Sequence, residues 1–194
     1  MVQSFPREYE NDVRAVIKKL YIKSVAFNGI LYSDRFIDIQ LLSGENIRIP
    51  YRIYIEDIPF GKCLLTPVQK IIYSCIFTRS YSGYVREKYA KELLEKDMPE
   101  WAIPFIIGLS SDYVKEIQSA IYGILKEKNN DKYKELCSLN FDYIGRAYSV
   151  MLSYWNEYYR YGTDCIYSYK NHVGYKLFSE CYGYFKTGQK FIRT

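Results

Sequence analysis

The chain has 194 residues, and 48% of them are hydrophobic, which is enough apolar material to fill the core of one domain. Its 27 basic and 22 acidic side chains leave a formal net charge of +5, an excess too small to identify a nucleic-acid-binding protein by itself. The longest apolar run, residues 103–109, is far shorter than the roughly 20 residues of a membrane span, so we expect no membrane partner.

The cysteines and the first residues indicate a reducing compartment. Five cysteines are an odd number, and no two are spaced as Cys-x-x-Cys, so neither a disulfide framework nor a structural zinc site is indicated. Buried, reduced thiols are the simpler interpretation. Residues 1–13 are rich in charge and lack the apolar stretch of a secretory signal. The sequence therefore predicts a cytoplasmic protein.

The first part of the chain predicts one helix followed by a hairpin. Apolar residues recur at helical spacing from about Asp12 to Lys23. Asn28-Gly29 then stands between two short runs rich in β-forming residues, 22–27 and 30–32, and this dipeptide is the strongest short hairpin signal. We expect a two-residue turn there.

Two further apolar runs, residues 37–41 and 47–53, alternate with polar residues and predict more strand structure. Facing apolar sets share one side of an antiparallel pair, so we expect Leu41 opposite Ile47, across a loop with an odd number of residues. Pro50 has no N–H group and predicts an edge strand or a bulge. Together the strands form a three-stranded meander with a helix on its apolar face.

The middle of the chain carries the clearest helix signals. Thr66, Pro67 and Gln69 supply a hydroxyl cap, a first-turn proline and a capping-box side chain in the right order for a helix start. A second helix is predicted after the break at residues 80–83. Pro104 divides the next stretch into a short turn and a short apolar helix.

Two of these segments, residues 83–94 and 101–107, resemble the paired helices of HEAT-type repeats. The resemblance covers only the middle third of the chain, and no fixed period recurs along the whole of it. A free-standing stack needs at least three repeats. The resemblance therefore implies a local pair of helices and no function.

Further helices are predicted toward the C terminus. Ser110 or Ser111 caps a helix that reaches Leu125. Apolar residues between positions 137 and 158 then alternate by four and three, which predicts one long helix packed on the central ones. Gly162 interrupts that helix, and Thr163 caps a last one.

These elements predict an α+β fold that is mainly α, in which an N-terminal helix and a three-stranded antiparallel meander pack on a C-terminal multi-helix bundle that is HEAT-like in its middle. We place the helix and sheet in residues 1–62, the bundle in residues 63–185 and a basic tail in residues 186–194. We expect one continuous core.

Recognisable chemistry is absent from the sequence. His172 is the single histidine, so a catalytic triad, a histidine metal cluster or a general-base histidine would have to use it, and no partner is evident. Its apolar helical neighbours predict a structural, surface or half-buried side chain. Glu56-Asp57 is the best-placed carboxylate pair, but adjacent residues on an extended chain point to opposite faces. We assign no catalytic, cofactor-binding or metal-binding residue.

The C-terminal part concentrates the charge asymmetry. Residues 140–194 carry seven basic and four acidic side chains, against nine and eight in residues 1–62. The chain also has 23 tyrosines, which either form a contact surface or reflect an AT-rich coding sequence. Tyrosine rings with nearby cations could stack bases and hold phosphates. The candidate nucleic-acid-binding residues are Arg160, Lys170, Lys176, Lys186 and Lys190.

Several amphipathic helices without recognisable chemistry favour one function above the others. We expect an intracellular, non-catalytic module that binds another protein through its helical surfaces. Nucleic-acid binding through the basic, tyrosine-rich C-terminal region is the alternative. An enzyme with a carboxylate or lysine site that one sequence does not reveal is the third hypothesis.

Overall fold

The structure, a computed structural model, describes residues 1–24, 31–57, 64–162 and 165–185. The chain is mainly helical with short antiparallel strands, which confirms the predicted α+β, mainly α fold class. Contacts within the chain group into two units, Met1–Phe105 and Ile106–Thr194. The domain boundaries predicted from the sequence, after residues 62 and 185, stay a prediction.

The first unit begins with two single-turn 3-10 segments, followed by helix α1 (Glu10–Ser24). Apolar residues at helical spacing form its buried side: Val13, Val16 and Leu20. Because α1 continues through Ser24, the strand predicted to begin at Ile22 is wrong for its first three residues. The remainder of that strand and the predicted Asn28-Gly29 turn lie outside the described residues.

The strands among the described residues form two short antiparallel pairs, which corrects the predicted three-stranded meander. β1 (Leu31–Tyr32) pairs with β4 (Ile53–Tyr54), and β2 (Phe36–Gln40) pairs with β3 (Asn46–Pro50). Three residues separate β1 from β2, but only two separate β3 from β4. The connection between β1 and β2 therefore has one extra residue, which is a β-bulge. Pro50 ends β3 beside this bulge, as expected for a residue without an N–H group.

The register between β2 and β3 differs from the predicted one by two residues. Ile39 lies opposite Ile47, whereas the sequence pattern predicts Leu41 there. Both registers place the apolar side chains on one face, so the pattern alone does not choose between them. The turn decides the register: Leu41 N–H donates to Glu45 O over 2.8 Å, and Gly44 adopts a left-handed φ of +86°.

Two helices follow the strands in this unit, α2 (Pro67–Phe77) and α3 (Gly83–Leu94). The predicted capping box begins α2, since Thr66 Oγ1 accepts from Gln69 N–H over 3.2 Å and the Gln69 side chain accepts from Thr66 N–H over 3.4 Å. Two ion pairs join residues four apart on and just after α3: Glu87–Lys91 and Glu92–Lys96. The local signals in this region are therefore confirmed.

A buried arginine on α3 holds the chain that enters this helix. Arg86 is fully buried, and its Nη1 donates to the carbonyls of Ser80 and Tyr81 over 2.9 Å each. Ser80 in turn forms a parallel bridge with Ile53 of β4. Sequence pattern does not reveal this contact, because arginine is rarely buried.

The short apolar helix predicted around Pro104 is present. A 3-10 turn over Glu100–Ala102 leads into α4 (Ile103–Ile107), and Pro104 occupies its first turn, where it needs no N–H partner. With five residues, α4 is little more than one turn. Of the two segments that resemble HEAT-type helices, residues 101–107 therefore contain only a very short helix.

All regular elements of the second unit are helices among its described residues. They are α5 (Lys115–Leu125), α6 (Asp131–Leu139), α7 (Phe141–Tyr154) and the short α8 (Val173–Lys176). Wider π-helical turns extend α7 over Trp155–Tyr159 and α8 over Leu177–Cys181. In such a turn the backbone N–H bonds to the carbonyl five residues back.

The long helix predicted between residues 137 and 158 is divided into α6 and α7. Asn140 leaves helical geometry, with φ −111° and ψ 38°, and its side-chain amide donates to Leu136 O over 2.9 Å. Asparagine competes for backbone partners in this way, which weakens a helix interior. The apolar spacing continues across the break and so conceals it.

The predicted starts of two other helices differ from the structure. Neither Ser110 nor Ser111 caps α5; Asp112 Oδ1 instead accepts from Val114 N–H over 3.1 Å. The predicted cap Thr163 lies outside the described residues, but residues 165–172 contain no α-helix, and the last helix begins at Val173.

His172 is the N-cap of α8 and is fully buried, which corrects its predicted surface or half-buried place. Its Nδ1 accepts from Gly174 N–H over 3.2 Å. An acceptor at this position satisfies one of the amide groups that a helix leaves unpaired at its start. The structural role predicted for this histidine agrees with these contacts.

Candidate interaction surface

The π-helical turn after α7 brings a cation onto an aromatic ring. Arg160 N–H donates to Trp155 O, five residues back, over 2.9 Å. Residues five apart point to different sides of an α-helix, which has 3.6 residues per turn. In the wider turn the Arg160 guanidinium instead lies over the Trp155 ring, 5.5 Å from its centroid.

Arg160 is held by three neighbours. Besides Trp155, the ring of Tyr161 lies beneath its guanidinium at 4.9 Å, and Nη1 donates to Asn156 Oδ1 over 3.1 Å. Within the part of the chain that the structure describes, no carboxylate forms an ion pair with it. Since a guanidinium has five N–H donors, donors remain beyond the one that Asn156 binds.

Exposed tyrosines are grouped in the chain segment that contains this arginine, and Tyr161 contacts it directly. Tyr158 is 53% exposed, Tyr161 70% and Tyr167 66%. Grouped exposed aromatic rings mark interaction sites more often than single ones do. We call this group the tyrosine surface and define it by Tyr113, Tyr154, Trp155, Tyr158, Arg160, Tyr161, Tyr167 and Tyr169.

The rings of the tyrosine surface support one another. The centroid distances are 6.0 Å for Tyr113–Tyr154, 6.0 Å for Tyr154–Tyr158, 5.9 Å for Trp155–Tyr169 and 6.1 Å for Tyr161–Tyr167. Three of these pairs are edge-to-face, with interplanar angles of 68°, 70° and 73°. The rings are therefore fixed by mutual contact.

Backbone and side-chain hydrogen bonds anchor the surface to the rest of the second unit. The Tyr159 hydroxyl donates to Tyr113 O and accepts from Lys115 N–H over 3.1 Å, which joins the π-helical turn to the start of α5. Trp155 Nε1 donates to Ile166 O over 2.9 Å. Ile166 N–H returns a bond to Tyr159 O, so the following loop folds back on the turn.

The five candidate nucleic-acid-binding residues are distributed unevenly. Arg160 belongs to the tyrosine surface, and Lys170 is exposed in the 3-10 turn that also holds Tyr169. Lys176 ends α8 and is half-buried. Lys186 and Lys190 lie outside the described residues. Arg160 contacts Trp155 directly, whereas Lys170 is only the chain neighbour of Tyr169, whose ring packs on Trp155.

Asp57, one of the two adjacent carboxylates at the end of the strands, forms structural contacts. Asp57 Oδ2 pairs with Lys88 Nζ at 2.6 Å, and its Oδ1 accepts from the Tyr89 hydroxyl over 2.7 Å. Burial, together with this carboxylate, raises the pKa of Tyr89. Asp57 therefore fastens the chain after β4 to α3, as a strand-ending acidic residue can do.

The thiols differ in exposure. Cys75, Cys137 and Cys181 are buried, as predicted, and burial raises the pKa of the Cys181 thiol to about 11. Cys165 is exposed, which contradicts the prediction for this residue, and it adopts a left-handed φ of 46° in the loop beside the tyrosine surface. Cys63 lies outside the described residues.

No family model, curated protein or solved structure matches the chain. Among the described residues, no group of three or more histidine, cysteine, aspartate or glutamate side chains could hold a metal ion. No described helix is both long and apolar enough to cross a membrane. The tyrosine surface is therefore the feature from which a function can be argued.

Sequence reasoning finds only part of this surface. The tyrosine-rich C-terminal region and Arg160 are evident from composition. Tyr113 joins the surface from before α5, far away along the chain, and no local pattern reveals that contact. The π-helical turn is also concealed, although a dense aromatic run of Trp155, Tyr158 and Tyr159 followed by Gly162 marks where α-helical packing ends.

Proposed function

We propose that the chain is an intracellular, non-catalytic module that binds another protein through the tyrosine surface. The observation that carries this proposal is a group of exposed tyrosines arranged around Trp155 and Arg160. Tyrosine, tryptophan and arginine are the residues that contribute most to protein interfaces. Because the rings already hold one another, binding freezes few additional side-chain rotamers.

The same geometry supports a protein partner over nucleic acid. Bases stack on open ring faces, but Arg160 lies over both Trp155 and Tyr161. The edge-to-face pairs further reduce the open face area. Glu116 and Glu157 are exposed next to these aromatic residues in the sequence, and their charges would repel phosphates.

Affinity capture with matched variants tests the proposal. A tagged chain expressed in its native cells should recover a discrete protein after nuclease treatment. The variant Tyr158→Ser, Tyr161→Ser, Tyr167→Ser should recover at least about tenfold less, because losing about 1.4 kcal/mol of binding free energy has that effect. Tyr84→Ser is the control, since Tyr84 is 88% exposed on α3 in the other unit. Equal recovery by all three chains would contradict the proposal.

Nucleic-acid binding is the second candidate function, and one observation favours it. Neither Lys170 nor Lys176 forms an ion pair among the described residues. Fluorescent single-stranded and duplex oligonucleotides can be titrated at two salt concentrations, with the variant Lys170→Ala, Lys186→Ala, Lys190→Ala beside the wild type. We expect weak binding that disappears near physiological salt. Binding tighter than about 1 μM that persists there and falls in the variant would favour this candidate.

A further inference from the structure

Arg160 indicates the chemistry of the partner. Two other described surface arginines have carboxylates of the same chain beside them: Arg14–Glu10 at 2.7 Å and Arg48–Asp38 at 3.5 Å. Arg160 has no such partner among the described residues. Within residues 1–24, 31–57, 64–162 and 165–185, no carboxylate therefore balances the positive charge that Arg160 brings to the tyrosine surface.

The guanidinium is also oriented in advance. Trp155 and Tyr161 lie against it at 5.5 and 4.9 Å, and the bond to Asn156 Oδ1 fixes its rotation. A planar guanidinium presents parallel N–H donors that match the two oxygens of a carboxylate. Because the side chain is already ordered, little conformational entropy is lost when an anion binds.

We propose that the tyrosine surface binds a segment of a partner protein that carries one aspartate or glutamate, with its carboxylate on Arg160 and apolar side chains against the neighbouring tyrosines. This inference rests on the proposed function and specifies its partner. Trp155 and Tyr161 cover the parts of the guanidinium that they contact, and a carboxylate–guanidinium bond is stronger beside apolar surface than in open solvent.

A carboxylate fits this site better than a phosphate does. Phosphate-recognition sites combine several arginines, since a phosphate carries close to two negative charges. The tyrosine surface contains one arginine, and the exposed Glu157 lies within the π-helical turn that positions it. The single negative charge of a carboxylate complements one guanidinium, whereas Glu157 would repel the second negative charge of a phosphate.

Two peptides test the inference directly. The first is a synthetic 12-residue peptide of phenylalanine and serine with one central glutamate, and the second is the same peptide with that glutamate replaced by glutamine. Binding is followed in 15N NMR spectra through the Nε–H signal of Arg160, which Arg160→Gln identifies by its absence. We expect the acidic peptide to shift this signal and to bind at least about tenfold more tightly than the glutamine peptide.

Variants separate a shaped site from general charge attraction. Arg160→Gln and Arg160→Lys should each weaken the acidic peptide at least about fivefold, since lysine keeps the charge but lacks the planar pair of donors. Arg146→Lys, on the exposed side of α7, is the matched control and should bind as the wild type does. Equal binding of both peptides, or unchanged binding by Arg160→Lys, would overturn the inference.

The proposed function and this inference can fail separately. If the triple tyrosine variant loses a captured protein while the acidic peptide does not bind, the surface binds proteins but the assigned chemistry is wrong. A 12-nucleotide single-stranded oligonucleotide is titrated under the same conditions. If it binds more tightly than the acidic peptide and shifts the Arg160 signal, the site is a phosphate site and the inference is overturned.

Discussion

Gly162 follows the π-helical turn at a position where no side chain fits. A Cβ atom there would lie 2.3 Å from Tyr158 O, a backbone atom that cannot move aside cheaply. We expect Gly162→Ala to lower the free energy of unfolding by about 1–3 kcal/mol, as overpacking does. Urea unfolding measures the change.

Gly123 provides the control for this substitution. A Cβ atom at this position on α5 would meet nothing within 4 Å. Gly123→Ala should therefore leave stability unchanged or raise it by up to about 1 kcal/mol, because alanine favours helix. If Gly162→Ala were as stable as Gly123→Ala, the chain after the π-helical turn would not approach Tyr158 as described.

The cap of α8 is a second prediction at the scale of one residue. His172→Ala removes the acceptor that pairs with Gly174 N–H, whereas His172→Asn removes the ring but keeps an acceptor. We expect the alanine variant to be less stable than the asparagine variant by about 1 kcal/mol. Thermal or urea unfolding of the two variants gives the difference directly, and equal stabilities would show that the cap contributes nothing.

At the scale of elements, Arg86 connects α3 to the chain that bridges β4. Replacing it by methionine keeps much of the volume but leaves the buried carbonyl of Ser80 and the partly buried carbonyl of Tyr81 without this donor. We expect Arg86→Met to cost about 3 kcal/mol, the effect of removing charged hydrogen bonds from a buried site. The same substitution at Lys91, in an exposed pair with Glu87 on the same helix, should cost at most about 0.5 kcal/mol.

Differential scanning calorimetry of the two methionine variants checks this prediction. A small effect of Arg86→Met, close to that of Lys91→Met, would mean that the buried guanidinium does not hold the segment between α2 and α3. The comparison is informative because both residues lie on α3 and receive the same side chain.

The elements that the sequence predicts are those whose signals are local. The cap at Thr66, the break before α3 and the short helix at Pro104 each depend on residues within one or two turns. The register of β2 and β3 depends on a turn that the apolar pattern does not specify. The division at Asn140 is concealed because the apolar spacing of α6 continues into α7.

For the candidate site, composition predicts the region but not its geometry. Arg160 and the tyrosines are evident in the sequence, whereas the contact of Tyr113 with Tyr154 is between distant residues. The π-helical turn also depends on packing, since the loop returns a bond from Ile166 to Tyr159. A pattern based on 3.6 residues per turn assigns the residues after a π-helical turn to the wrong side of the helix.

At the scale of the whole molecule, buried tyrosines predict loss of stability at high pH. Burial raises the pKa of Tyr73 to about 12, and it also raises the pKa of Tyr89, Tyr133 and Tyr182. In the unfolded chain these hydroxyls lose protons near pH 10. Their contribution to the free energy of unfolding is therefore complete below about pH 10 and decreases as the pH rises through about 12.

Absorbance at 295 nm and circular dichroism, recorded together from pH 8 to 13, test this prediction. We expect the buried tyrosines Tyr73, Tyr89, Tyr133 and Tyr182 to ionise only as the helical signal is lost. Ionisation of all tyrosines near pH 10 in the folded chain would contradict the burial of these side chains.

The most direct test of the protein-binding role uses light-induced crosslinking inside native cells. The photoreactive residue p-benzoylphenylalanine replaces Tyr158 in one chain and Tyr84, which is still more exposed, in another. We predict that the chain labelled at position 158 forms a discrete adduct that protease removes and nuclease does not, and that the chain labelled at position 84 forms none. Equal adducts at both positions, or a nuclease-sensitive adduct at position 158, would contradict the account.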